Sequence, residues 1–351
     1  MPQSVVAPAT ERRRHTKVVQ VGIIGYGKMG QIRCDVISQN GAGRVVAICD
    51  PVPQPPRDGI RRCASPQELI ADPEVEAVFI CTPNYLNQPL TIQALQAGKH
   101  VFCEKPPALN ARQMEEVVAV EAAAGGRKLM YGFNHRHHDS VKKAKELIDS
   151  GLYGRMLWMR GRYGKSVDES FYQTWRAKRA LAGGGILIDQ GIHMLDLFLM
   201  LAGEFDEVQA FVSNLYWKLD VEDNVFATLR NREGIIASLH STMTQWRHLF
   251  SLEIFLERGY LVLNGLLTSS GTYGEEVLTL AKNRTTAPAA TWEDEEHIRF
   301  SLNLSWRHEV DQFFEAILSD RPVEAGTSQD ALKLMRLIDK IYESDRGARH
   351  G

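Results

Sequence analysis

The chain has 351 residues, 44% of them hydrophobic and 24% charged, with a formal net charge of −2. That length allows two domains and a sizeable core, while the near-neutral balance leaves no electrostatic footprint for a nucleic-acid partner. No apolar run reaches membrane-spanning length, and none of the cysteines (Cys34, Cys49, Cys63, Cys81, Cys103) forms a Cys-x-x-Cys pair, so neither a membrane nor a zinc or disulfide framework is expected.

Residues 1–16 read as a disordered tail. Arg12-Arg13-Arg14 before an apolar stretch mimics an export signal, but that stretch is the first strand of the fold and no small-residue cleavage site follows it. With the thiols read as buried and reduced, the expected compartment is the cytoplasm.

From Val18 to Ile24 the chain is apolar and β-branched, as suits a strand buried on both faces. Gly25-Tyr26-Gly27-Lys28-Met29-Gly30 follows directly. In that spacing Gly25 permits the tight turn, Gly27 lets the backbone approach a pyrophosphate, and Gly30 lets the next helix pack on the sheet. That helix, expected over Met29–Ser38, points its free N–H groups at the phosphates. The strand Arg44–Cys49 ends in Asp50, where a carboxylate can bind both ribose hydroxyls and repel a 2′-phosphate. The expected cofactor is therefore NAD, with NADP left open because Arg57, Arg61 and Arg62 lie close by in sequence.

Strand and helix then alternate. Ser65-Pro66-Gln67-Glu68 carries helix-start chemistry. Val75–Cys81 reads as a buried strand, turned at Thr82-Pro83-Asn84, and a helix over Leu86–Ala97 stops at Gly98. The strand His100–Cys103 leads into Glu104-Lys105-Pro106, which sets Lys105 at the carboxyl edge of a parallel sheet, where such sheets bind ligands. A helix near Ala111–Ala124 and a strand over Lys128–Phe133 complete this half. The expected architecture is α/β: a dinucleotide-binding Rossmann domain over 17–132 and an α+β domain over 133–351.

In the second half, strand-like stretches run over Met156–Tyr163, Glu207–Leu215, Asn224–Arg230, Ile235–Thr242 and Leu249–Glu257, and apolar residues at helical spacing mark helices over Glu309–Leu318 and Gln329–Tyr342. Gly183-Gly184-Gly185 breaks the chain before an apolar helix on which Asp189 and His193, four apart, share a face and can touch, so that Asp189 either orients the histidine ring or binds a substrate hydroxyl directly. A histidine with an ordinary pKa near ~6.5 can take a hydroxyl proton at neutral pH. Asp196, one turn on, reads as structural. Asn134-His135-Arg136-His137-His138 follows the last strand of the first half and should lie near the cleft; no carboxylate or thiol nearby completes a metal site, so no metal is expected. Trp175-Arg176 lies in a stretch mixing aromatic and basic groups, which suits a sugar ring and a carboxylate or phosphate, and equally a solvated loop wall.

Taken in order, the glycine fingerprint, Thr82-Pro83-Asn84, Gly98-Lys99-His100-Val101, Glu104-Lys105-Pro106, and the glycine triplet with Asp189 and His193 resemble the glucose–fructose oxidoreductase and inositol dehydrogenase (Gfo/Idh/MocA) family over nearly the whole chain. The resemblance implies an open, mainly antiparallel C-terminal sheet that mediates a homodimer or homotetramer, and oxidation or reduction of a secondary alcohol of a sugar, polyol or nucleotide-linked sugar. It implies a catalytic set of Lys105, Asp189 and His193. Cofactor contacts are expected along Gly25, Tyr26, Gly27, Lys28, Met29, Gly30, Asp50, Thr82, Pro83, Asn84, Glu104 and Lys105, and substrate contacts at Lys105, Arg136, Trp175, Arg176, Asp189 and His193. Some relatives resemble redox-neutral glycosidases or lyases that hold NAD, or non-catalytic dinucleotide sensors, so both stand as alternatives. Asn87 departs from the family pattern, which often has histidine there.

Overall fold

The computed structural model describes residues 17–52, 59–283, 288 and 290–350; the N-terminal tail and Arg57 fall outside them. The first half alternates strand and helix: β1 (Val19–Ile24), α1 (Lys28–Asn40), β2 (Gly43–Cys49), β3 (Arg61–Arg62), α2 (Pro66–Ala71), β4 (Ala77–Ile80), α3 (Asn84–Gln96), β5 (His100–Glu104), α4 (Ala111–Ala123) and β6 (Leu129–Gly132). These strands pair in parallel in the order β3-β2-β1-β4-β5-β6, so the order reverses between β1 and β4 and opens a crevice at their carboxyl ends. Both faces of this sheet are covered, which is why its strands read as continuous apolar runs.

The second half continues through α5 (Asp139–Asp149), β7 (Met156–Ser166), α6 (Arg179–Ala182), a π-helical turn (Leu187–Gly191), α7 (Ile192–Ala202), β8 (Phe205–Ser213), β9 (Asn224–Asn231), β10 (Ile236–Thr242), β11 (Thr244–Leu256), β12 (Gly259–Asn264), β13 (Glu276–Lys282) and β14 (Glu296–Phe300). Its sheet runs β14-β13-β12-β11-β7-β10-β9-β8, antiparallel throughout except where β7 pairs with β10. Burial alternates along β9, one face buried in the core while the other is open. On that open face stand Phe211 (73% exposed) and Phe226 (50%).

Two helices close the chain, α8 (Ser305–Leu318) and α9 (Ser328–His350). α8 returns to the first sheet. Phe79 on β4 and Phe102 on β5 stack at 4.8 Å, and Phe313 meets both edge-on at 5.6 and 5.7 Å. Such aromatic pairs add about 0.5–1.5 kcal/mol each beyond area burial. A boundary at 132/133 thus separates the two sheets in sequence, yet helix packing crosses it. The stretch Arg179–Ala202 is long and apolar enough by composition to cross a membrane, contrary to the expectation that no run is, but 67% of that window is buried in the interior and the glycine triplet interrupts it. It is core.

Candidate active site

Gly25 leaves β1 with φ +85°, and its missing Cβ would stand 2.4 Å from the Cys81 carbonyl oxygen; a Cβ on Gly30 would stand 2.1 Å from the Gly25 carbonyl oxygen. Strand, turn and helix are therefore locked together by glycine. Gly27 differs: nothing lies within 4 Å of where its Cβ would be. Open space at that atom, beside a helix that begins with no side-chain cap and no acid in its first turn, is the cradle an anion needs. Asp50, at the end of β2, accepts hydrogen bonds from the N–H of Tyr26 (2.5 Å) and of Val52 (2.8 Å), so its carboxylate borders the same loop. The residues fit a dinucleotide. Arg61 turns instead to Asp72 and Glu74.

Several expected contacts are spent inside the protein. Asn84 donates from Nδ2 to the Ala182 carbonyl (2.8 Å), tying α3 to the second half. Thr82 Oγ1 donates to Asn87 Oδ1 (2.9 Å), and Asn87 Nδ2 donates to the carbonyls of Glu104 (3.2 Å) and Pro106 (2.8 Å). Asn87, buried, thus laces the two loops that flank Lys105. The Glu104 carboxylate is not a cofactor group here: it accepts from Arg33 Nε at 2.7 Å, and Arg33, fully buried, also pairs with Glu309 at 2.8 Å. Burial pushes Glu309 up to about 8, against the pull of Arg33.

Lys105 reaches across to the π-helical turn. Its Nζ donates to the Asp189 main-chain carbonyl at 2.7 Å and lies 3.6 Å from Asp189 Oδ1. The Asp189 Oδ2 is in contact with Lys165 Nζ from β7, and Arg176 Nε stands 3.6 Å from Oδ1. Burial alone would raise the Asp189 pKa; Lys165, Lys105 and Arg176 outweigh it and hold the carboxyl well below the usual range. Lys105 is pushed down from its ordinary value, first by burial and then by Arg176 and Lys165, with Asp189 and Glu104 opposing.

Asp189 and His193 do not make the contact that their spacing allows, because the lysines take the carboxylate. His193 instead stacks on His135, ring centroids 3.8 Å apart and planes 21° apart. His135 Nε2 pairs with the Tyr163 hydroxyl at 3.0 Å. Both histidines are held well below the ordinary value by burial, His193 further by Lys105 and His135 by His193. Among the described residues, His193 Nδ1 is buried without a hydrogen-bond partner.

Arg136 does not join the cleft. Its guanidinium grips Asp196 through two bonds (2.6 and 2.7 Å) and Asp330 at 3.0 Å, a buried clamp between α7 and α9, which also accounts for Asp196. The remaining histidines diverge: His138 pairs with Glu276 at 2.9 Å, while His137 offers its carbonyl to His308. Trp175 and Arg176 are at the cleft, the guanidinium lying 4.3 Å over the indole. Sequence reasoning missed Lys165 and Tyr163, neither of which belongs to a local motif, and, within the histidine stretch it did place near the cleft, the stacking of His135 on His193.

The glycine triplet is held from behind. Glu222 is 2% exposed. Its Oε1 accepts from the N–H of Gly185 (2.8 Å), the N–H of Leu187 (3.1 Å) and the Tyr342 hydroxyl (2.7 Å). A Cβ on Gly185 would stand 2.0 Å from the Glu222 carbonyl oxygen. This close backbone packing sets where the turn bearing Asp189 starts.

Residues 19–133 match the model of an oxidoreductase family with an NAD-binding Rossmann fold, and residues 141–262 match the GFO/IDH/MocA C-terminal domain. Levoglucosan dehydrogenase of Pseudarthrobacter phenanthrenivorans is 31% identical over 56% of this chain and 57% of its own. 1,5-Anhydro-D-fructose reductase of Ensifer adhaerens is 30% identical over 58% of this chain and 61% of its own. The matched stretch therefore spans somewhat over half the length of these relatives. The structure of a levoglucosan dehydrogenase complex with NADH and levoglucosan superposes with a TM-score of 0.83 at 25% identity, covering 94% of this chain and 98% of that one. With an NAD-binding Rossmann domain and the matching C-terminal domain both present, the chain belongs to the GFO/IDH/MocA oxidoreductase family.

Proposed function

We propose that this chain is a dehydrogenase that moves hydride between NAD and a secondary alcohol of a sugar or polyol, with Lys105 as the group that takes the hydroxyl proton. The observation that carries this is the setting of Lys105: half-buried, lowered in pKa, and hydrogen-bonded to a neutral carbonyl at 2.7 Å beside Asp189. An ammonium held that way gives up its proton more readily than one locked in an ion pair.

The loop at Gly27 and the start of α1 would hold the pyrophosphate, and Asp50 the ribose hydroxyls. When bound, the nicotinamide supplies hydride transfer. Lys105 then accepts the proton of the reacting hydroxyl in oxidation and returns it in reduction. His193 suits a different task. An imidazolium there would bury an Nδ1–H with no acceptor, so the neutral ring is favoured, fit to hydrogen-bond a substrate hydroxyl and hold it towards Lys105. Asp189, fully ionised, accepts from further hydroxyls, and the Trp175 face suits a sugar ring. No observation favours the redox-neutral or sensor alternatives.

The relatives' names put cyclic anhydrosugars first among candidate substrates. The open sheet face with Phe211, Phe226 and Ile236 supports a homo-oligomer formed through the second sheet. All five cysteines are free thiols, four of them buried, which supports work in a reducing compartment such as the cytoplasm.

The test is appearance of reduced cofactor with NAD, and separately with NADP, across anhydrosugars, free sugars, inositols and nucleotide-linked sugars. Turnover with NAD that vanishes in Lys105→Met while NADH binding persists is the expected result. Turnover surviving in Lys105→Met would remove Lys105 from the chemistry, and silence across the panel with intact NADH binding would remove the dehydrogenase itself.

A further inference from the structure

Two lysines meet one carboxylate in the cleft, and they meet it unequally. Lys165 Nζ is in direct contact with Asp189 Oδ2. Lys105 Nζ stands 3.6 Å from Oδ1, beyond hydrogen-bonding distance, and spends its close contact on the Asp189 carbonyl instead. Lys165 itself is fixed: its side chain is 13% exposed, and its ammonium lies 4.9 Å over the Phe171 ring.

We infer that Lys165 is a positioning residue: by holding the Asp189 carboxylate it denies Lys105 a tight ion pair and leaves Lys105 free to act as the proton acceptor. This rests on the dehydrogenase reading for its consequence, though not for its geometry. Were Asp189 to swing fully onto Lys105, the pair would stabilise the ammonium and hold it protonated at neutral pH. The surroundings of Lys105 work in the same direction as Lys165 from most sides. Arg176 repels the ammonium, the neutral rings of His193 on α7 and His135 after β6 offer it no counter-charge, and only Asp189 and its neighbour Glu104 attract it. Glu104 is already paired with Arg33. Lys165 therefore controls the one strong attraction left.

The test reads Lys105 directly. In protein labelled with ¹³C at lysine Cε, the Lys105 resonance is identified by its loss in Lys105→Arg and titrated in the wild type, Lys165→Met, Lys165→Gln and Lys165→Arg. The neutral variants should move the Lys105 titration upward by about 1–3 pH units, the range of a carboxylate coming into contact. Lys165→Arg, which keeps the charge, should stay near the wild type. If the variants turn over substrate, the acid limb of the kcat/KM profile should move by the same amount, a shift that mere loosening of the site would not produce. A Lys105 titration that is unmoved or falls in both neutral variants overturns the inference. A titration that rises while no sugar is oxidised keeps the inference and sinks the dehydrogenase reading, so the two failures are told apart.

Discussion

Replacing Glu222 tests whether the glycine triplet is held from behind. In Glu222→Ala, three donors lose their acceptor at once: the N–H of Gly185, the N–H of Leu187 and the Tyr342 hydroxyl, now at 2.8, 3.1 and 2.7 Å from Oε1. A buried donor left unpaired costs about 1–3 kcal/mol, so the two main-chain N–H groups cost about 2–6 kcal/mol before any relief. Relief is real, because burial raises the Glu222 pKa against the hydrogen bonds from Tyr342, Gly185 and Leu187, and removing a buried carboxylate returns several kcal/mol. A net loss of about 1–3 kcal/mol remains, or about 2–6 °C in Tm at roughly 2 °C per kcal/mol for a large domain. Glu222→Gln keeps an acceptor oxygen in place, sheds the buried charge, and should lose about 1 kcal/mol or less. The start of the Asp189 turn shifts in the alanine variant, and a misplacement of about 1 Å costs about 10²-fold in turnover, so kcat should collapse while NADH affinity, set at the Gly27 loop, holds. Thermal unfolding, NADH fluorescence titration and initial rates measure all three. An alanine variant with wild-type Tm and kcat would mean that Glu222 does not hold the glycine triplet.

Two further predictions concern the cofactor cradle and acid stability. Gly27→Val places its Cβ where, among the described residues beyond its chain neighbours, no atom lies within 4 Å, so the apoprotein should melt as the wild type does while NADH binding weakens by more than about tenfold, or about 1.4 kcal/mol; unchanged affinity by calorimetry would move the phosphates away from this loop. His135, His137 and His193 are buried, and burial holds each below the ordinary value, His137 down to about 3. Because these folded-state values lie below the unfolded one of about 6.5, their contribution is complete above that pH and is lost as pH falls, by up to about 2 kcal/mol each at pH 5. Glu309, raised to about 8, runs the other way and returns about 2–3 kcal/mol over pH 7 to 5. The urea midpoint should therefore fall between pH 7 and 5, and a midpoint that held or rose would contradict the neutral, buried state of the three rings.

What could be read in the sequence was local. Gly25, Gly27 and Gly30 announce a cradle because each obeys a backbone constraint visible within a few residues, and the order of strands and helices follows from their periodicity. Lys105 and Asp189 could be placed because a strand end and a glycine break mark them. Sequence patterning does not mark β12, β13 and β14; β14, Glu296–Phe300, is at most half-buried and mixes charge with apolar residues. Lys165 is one of 41 lysines and arginines, and its partner lies 24 residues away in a contact that only the packing of β7 on the π-helical turn creates. Arg136 was misassigned for the same reason, since Asp196 and Asp330, 60 and 194 residues distant, claim it. Glu104 sits beside Lys105 in sequence and points the other way, into Arg33.

The return of α8 to the first sheet has a consequence for how the chain is made. Phe313 and Phe314 complete a layer begun by Phe79 and Phe102, and Glu309 completes the setting of Arg33, yet the ribosome delivers them roughly two hundred residues after β5. Until then the nascent cofactor domain has its strands but an open flank of stacked phenylalanines and a buried-type arginine short of one carboxylate. The first domain to emerge is the last to close, so folding cannot proceed in simple order from the N-terminus. A gene fragment cut after β6 would carry the whole glycine fingerprint and still lack the cover that lets it stand alone in water.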